Sequence, residues 1–268
     1  MAHILIPTDL SPNSLEAARH AVALFGGKGN TFTILNAWMA PYAGASVLMS
    51  MDDLLGRESR EGLADFTEQL KKELPLEDAE VRQLSMHGEL ASVIVGLQED
   101  DPTISLVVMG TMGATGLKEV LMGSNTADVL RKSLRPVLAV PNQAEHVRPK
   151  LILVADDGNA VSTANAEVLV GMARDLQAEL LLVRVVVDGT AKDLPSAYKP
   201  FLTDIPHTFR TVKGKDVGIA LNEVIVESKA GMVVMVHHKM GLIQGLFHKS
   251  ASKQMALHAT VPLLVLQQ

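Results

Sequence analysis

The chain has 268 residues, 47% of them hydrophobic, no cysteine, and a formal net charge of −6. That length accommodates two domains of ordinary size, and the lack of cysteine excludes a disulfide framework. No cationic start with an apolar core appears at residues 1–8, and no run approaches the roughly 18 apolar residues that span a bilayer, so a soluble, cytoplasmic protein with no membrane partner is expected.

The first apolar run predicts a strand over residues 2–8, closing on Pro7-Thr8-Asp9. Ser11 is placed to cap a helix over 13–25, with Pro12 in a permitted first-turn position. Asp9 has two readings: a ligand contact at a strand end, or a loop residue preparing that cap. A second strand is expected over 31–38, ending near Ala37. Next comes a helical pattern over 51–74, with an apolar stripe of Leu54, Leu63, Phe66 and Leu70 and a solvated acidic face. Such a helix serves as a lid over a ligand, a surface for a partner, or a cover for the sheet. Residues 1–143 carry net charge −7 and residues 144–268 net +1, and the acidic front half argues against nucleic acid as partner.

A third strand is expected over 79–86 and a fourth over 104–109, ending in Met109. Directly behind it stand Gly110-Thr111-Met112-Gly113, then nine residues, then Gly123-Ser124-Asn125-Thr126. Strand, glycine-bearing loop and helix start in that order are how a backbone is arranged to hold phosphate. Gly110, Gly113 and Gly123 permit positive φ and let main-chain N–H groups approach an anion with no Cβ in the way. Ser124 is read as the cap of a helix starting near Asn125, whose first amides and dipole attract negative charge. A fifth strand over 136–140 completes the half.

The chain then repeats itself. Leu151-Ile152-Leu153-Val154-Ala155-Asp156 is read on Ile4-Leu5-Ile6-Pro7-Thr8-Asp9, and Leu181-Leu182-Val183-Arg184-Val185 on Thr33-Ile34-Leu35-Asn36-Ala37. Val261-Pro262-Leu263-Leu264-Val265 is read on Arg135-Pro136-Val137-Leu138-Ala139. Two tandem domains follow, 1–143 and 148–268, joined through the polar stretch 142–149. Strands alternating with amphipathic helices give each an α/β fold, a five-stranded parallel sheet with helices on both faces. Ligands of such sheets sit beyond the carboxyl ends of the strands, where strand order reverses. In the back half Val236 falls at the place of Gly110 and Lys249 at that of Gly123, so the motif is degenerate there. His237, His238, Lys239, His248, Lys249 and Lys253 form either a cationic pocket for another anion or a loop drifting into solvent. The adjacent histidines point to opposite sides, and no metal site is assigned.

The pattern Gly-x2-Gly-x9-Gly-Ser resembles the ATP-binding signature of the universal stress proteins, and Ile4-Leu5-Ile6-Pro7-Thr8-Asp9-Leu10-Ser11 is similar to that family's first strand and loop. The resemblance implies tandem Rossmann-like domains of the adenine nucleotide alpha hydrolase type. It implies ATP with Mg2+ carried by the nucleotide, and contacts from Pro7, Thr8, Asp9, Ala37, Met109, Gly110, Gly113, Gly123, Ser124, Asn125 and Thr126; Met112 is added because a flexible thioether beside the site can sit against an adenine ring. It also implies pairing through the last strands, 137–140 and 263–266, as a homodimer or an internal pseudo-dimer.

No Gly-x4-Gly-Lys-Ser/Thr loop is present, and no catalytic set suggests itself from spacing; Lys118 between the glycines is a surface lysine or a phosphate contact. Binding without efficient turnover is therefore expected, in a stress-response regulator read by an unidentified regulatory protein. The alternatives are a slow ATP hydrolase and a nucleotide-independent interaction protein.

Overall fold

The computed structural model describes residues 2–40, 45–111, 122–187, 196–237 and 261–268. The chain divides into two compact units, Met1–Asn142 and Gln143–Gln268. The first contains β1 (His3–Pro7), α1 (Pro12–Phe25), β2 (Thr31–Trp38), α2 (Ala45–Glu73), β3 (Glu80–His87), α3 (Leu90–Asp100), β4 (Ile104–Gly110), α4 (Ser124–Lys132) and β5 (Val137–Val140). All strand pairs within it are parallel, in the order β3-β2-β1-β4-β5.

Ile4, Leu5 and Ile6 of β1, Phe32, Ile34 and Leu35 of β2, and Val107 and Val108 of β4 are almost completely buried. Strands covered on both faces carry continuous aliphatic runs rather than alternation, as these do. The chain steps from β1 out to β3, then crosses back to β4 and β5. Right-handed crossovers then place α1 and α2 on one face and α3 and α4 on the other, and each pair packs together.

Helix α1 begins as its sequence indicates, with Ser11 Oγ accepting from the Ser14 amide at 3.3 Å and Pro12 opening the first turn. Helix α2 covers β2 and β3. Its buried face runs through Gly56, Ser59, Leu63, Phe66, Thr67 and Leu70. Leu54, expected on that stripe, is 51% exposed, because its position lies on the far side of the helix from Gly56. Ser59 Oγ meets Ser85 Oγ at 2.6 Å, and Trp38 Nε1 donates to the same Ser85 oxygen at 3.0 Å.

The second unit contains β6 (Leu151–Ala155), α5 (Thr163–Leu176), β7 (Glu179–Val186), a 3-10 turn (Lys199–Phe201), β8 (His207–Lys213), α6 (Val217–Ser228), β9 (Met232–His237) and β10 (Leu263–Gln267). Its strands are parallel in the order β8-β7-β6-β9-β10, the arrangement of the first unit. Strand register corrects the repeat by one residue. Pro7 pairs Leu35 while Ala155 pairs Val183, and Leu5 pairs Val107 while Leu153 pairs Val233. Asp156 thus stands where Thr8 does, and Asp157 where Asp9 does. The apolar runs alone slide past one another without penalty; hydrogen-bonded neighbours do not. No helix among the described residues is long and apolar enough to cross a membrane.

At the amino ends of the strands, the buried His3 imidazole lies between Thr33 Oγ1 at 2.8 Å and Thr103 Oγ1 at 2.9 Å, with Asp101 at 3.5 Å. Burial holds its pKa below the ordinary histidine value despite the attraction of Asp101. The unfolded chain therefore binds this proton at higher pH than the native one, so stability is full above about pH 6.5 and declines as pH falls below it. A His3→Gln variant should show a flatter loss of melting temperature between pH 7 and 5 than the parent.

Two glycines give a packing test. A Cβ on Gly96 of α3 would meet nothing within 4 Å, whereas one on Gly27 would collide with the Pro75 carbonyl oxygen. Gly96→Ala should raise the urea unfolding free energy by roughly 0.5–1 kcal/mol, and Gly27→Ala should lower it.

Candidate functional site

In the first unit the strand order turns between β1 and β4, and Asp9 and Gly110 lie at the carboxyl ends of those two strands. Loops leaving neighbouring strands toward opposite faces open a crevice there.

The β1 side is a closed hydrogen-bond chain. The Thr8 amide donates to the Leu35 carbonyl at 2.7 Å, and Asn36 Nδ2 donates to the Thr8 carbonyl at 2.7 Å. Ser14 Oγ donates to the Ser11 carbonyl at 2.9 Å, which leaves the Thr8 hydroxyl to donate to Ser14 Oγ at 2.7 Å and to accept the Leu10 amide at 2.9 Å. Asp9 Oδ1 accepts the Ser11 amide at 3.1 Å and the Ser11 hydroxyl at 2.5 Å. Pro7 and Thr8 are buried, Ala37 is half-buried and Asp9 is exposed. Leu10 has φ 62°, a left-handed conformation that disfavours a bulky side chain by roughly 1–2 kcal/mol.

The β4 side is held by main chain. Gly110 pairs Val140, the Thr111 amide donates to the Val140 carbonyl at 3.0 Å, and the Gly123 amide returns to the Thr111 carbonyl at 2.7 Å. The buried Thr126 hydroxyl donates to the Gly110 carbonyl at 2.9 Å, so its side chain ties α4 to β4. Met109 is buried, while Ser124 and Asn125 are exposed at the first turn of α4. Met112 and Gly113 lie outside the described residues, as does Lys118.

Two local expectations are corrected. The cap of α4 is Gly123, which offers no side-chain bond, and Ser124 is the first helical residue. The first-turn amides of Ser124, Asn125 and Thr126 thus receive no side-chain cap from Gly123. Gly110 is extended within β4, and Gly123 has φ −60° and ψ 150°, so neither uses positive φ. What these two glycines contribute is the absence of a side chain.

The second unit keeps the turn and changes its chemistry. The Gly158 amide donates to Asp156 Oδ1 at 2.9 Å as Leu10 does to Thr8, and the Asn159 amide donates to Asp157 Oδ1 at 2.9 Å as Ser11 does to Asp9. Gly158 takes φ 76°. Where the first unit has the Asn36 to Thr8 bond, Arg184 Nη2 donates to the buried Asp156 carboxylate at 2.7 Å. Burial, then Asp156 and Asp157, push the pKa of the buried Tyr198 hydroxyl upward. Val236 holds the register of Gly110, and His237 Nδ1 meets Gln267 Oε1 at 3.3 Å. The other members of the expected cationic group, His238, Lys239, His248, Lys249 and Lys253, lie outside the described residues.

Residues 1–141 match the profile of the Universal stress protein family. The chain belongs to the universal stress protein family. Two curated relatives from Methanocaldococcus jannaschii are similar to about half of the chain. Universal stress protein MJ0531 is 33% identical over 141 residues, which are 51% of this chain and 80% of that protein. Universal stress protein MJ0577 is 29% identical over 151 residues, 51% of this chain and 93% of its own length. A universal stress protein from Archaeoglobus fulgidus DSM 4304 shares the fold with a TM-score of 0.73 at 20% identity, covering 99% of this chain and 96% of that one. The family's Rossmann-like, nucleotide alpha hydrolase type of α/β fold is the fold described here.

Sequence reasoning passed over Asn36 and Leu10. Asn36 carries a legible signal, a lone amide closing the otherwise aliphatic strand Ile34-Leu35. Leu10 carries none, since its importance lies in a backbone angle.

Arg184→Ala leaves the buried Asp156 carboxylate without its guanidinium partner and should lower urea unfolding free energy by about 3 kcal/mol. Asn36→Ala, which removes a neutral bond, should cost about 1 kcal/mol.

Proposed function

We propose that the first unit binds ATP and that the chain is a stress-response regulator whose output is nucleotide occupancy. One observation carries this reading. The Asp9 turn and the side-chain-free start of α4 stand at the two strand ends where strand order turns, each a place where such a sheet takes a ligand. The glycine signature of the family supports a polyphosphate, with Gly110, Gly113 and Gly123 giving access to main-chain amides and Ser124, Asn125 and Thr126 supplying the helix start. Pro7, Thr8, Asp9 and Ala37 are assigned to the adenosine side by the same resemblance and Met109 to the glycine loop, while Met112 is added on the chemistry of its side chain. Flexible thioethers such as those of Met109 and Met112 suit the flat face of a base.

Among the described residues no three His, Asp or Glu side chains converge for a metal. Mg2+ therefore enters this reading only as carried by the phosphates, where it supplies charge neutralisation. The chain's own part is to orient the nucleotide through main-chain donors, which stabilises a bound anion without a base or nucleophile to turn it over. The second unit, with Asp156 and Arg184 in the crevice and Val236 in place of Gly110, is assigned a supporting role.

Because Gly123 has a φ and ψ open to any residue, Gly123→Val tests bulk at the phosphate approach without backbone strain. Calorimetric titration should give one ATP per chain, and the variant should bind at least about 10-fold more weakly while melting near the parent temperature without nucleotide. Unchanged affinity in a folded variant, or no heat with the parent protein and no adenine released from it, would overturn the assignment.

A further inference from the structure

Leu10 and Gly158 occupy the same place after the first strand of each unit, and both take the left-handed conformation, with φ 62° and 76°. In the second unit glycine meets that geometry without steric cost; in the first a leucine bears it. Something must offset that cost, and the side chain's surroundings show what. Gly62 of α2 lies so close that a Cβ there would collide with Leu10 Cδ1. The same helix is bare again at Gly56 beneath Trp38, where a Cβ would stand 2.9 Å from Cζ2. Leu10 follows Asp9 and Trp38 follows Ala37, so α2 touches both segments that carry the assigned nucleoside contacts. The second unit links β7 to β8 through residues 187–206, too few for a helix of the 29 residues of α2. There the left-handed position is glycine.

We propose that Leu10 is a positioning residue: seated on Gly62, it holds the Asp9 turn in its binding shape and couples that turn to α2. Nucleotide in the crevice and the packing of α2 then bias one another, since coupling between two sites acts equally in both directions. The proposal takes its ligand from the ATP reading; the Leu10 to Gly62 contact stands without it.

The test is hydrogen exchange over residues 8–14 in the full chain, for the parent, Gly62→Ala, Leu10→Gly and the double variant, with ATP affinity measured on the same four proteins. Without nucleotide, Gly62→Ala should speed exchange in the turn at least about 5-fold. The double variant should exchange as Leu10→Gly alone does, because the collision needs both side chains. ATP affinity should fall at least about 5-fold in Gly62→Ala, and the double variant should again match Leu10→Gly. Leu10→Gly, which keeps the backbone geometry seen at Gly158, should fold and yet lose the slowing of exchange that ATP produces across residues 56–63 in the parent. Gly96→Ala, with open space at its Cβ, serves as the control and should change neither reading. Independent, additive effects of the two substitutions, or a turn indifferent to Gly62→Ala, would overturn the proposal. If the parent takes no ATP, the ligand assignment falls, and the exchange cycle without nucleotide still decides the contact.

Discussion

The turn of strand order between β1 and β4 governs the first unit. Chain leaving β1 goes to one face of the sheet and chain leaving β4 to the other, so the carboxyl ends of these two strands are the one place in the unit where no crossover closes the gap between neighbours. Asp9 and Gly110 stand there because parallel strands send all their carboxyl ends one way. Side-chain bonds fix both strand ends. The Thr8 carbonyl is taken by Asn36, the Thr8 hydroxyl by Leu10 and Ser14, and the Gly110 carbonyl by Thr126.

The two units show how one backbone supports opposite local chemistry. The amide of the third residue in each turn finds an acceptor at the first, Thr8 Oγ1 in one and Asp156 Oδ1 in the other, and the geometry is preserved. A carboxylate at that place, buried among aliphatic strands, requires a cation, and Arg184 supplies it from the position where Asn36 stands in the first unit. The two replacements depend on each other. Neither alone would leave its group satisfied.

Much of this was legible in the sequence. Strands β1, β4 and β5 follow from nearly unbroken aliphatic runs and helix α1 from Ser11-Pro12, signals that act within a few residues. Asp9 and Gly110 fall at carboxyl strand ends, as read, because a parallel sheet sends all those ends one way. The misreadings come from quantities that periodicity does not contain. Leu54 shares the apolar spacing of α2 but not its phase relative to the sheet. The slip of one residue between repeats cost nothing in a run of Ile, Leu and Val, and only the pairing of Ala155 with Val183 exposed it. Ser124 resembles a cap, yet the chain enters α4 one residue earlier because the Gly123 amide is drawn back to Thr111. The seat of Leu10 on Gly62 joins residues fifty-two apart through a backbone angle and a missing side chain, and no local pattern encodes either.

The buried pair in the second unit bears on how the two halves respond to their surroundings. Partly buried charges are screened far less by dissolved ions than exposed ones, so the bond between Asp156 and Arg184 weakens little in concentrated electrolyte. At the matching place the first unit has the neutral bond from Asn36 to the Thr8 carbonyl. Salt therefore bears little on this turn in either half, through partial burial in one and neutrality in the other.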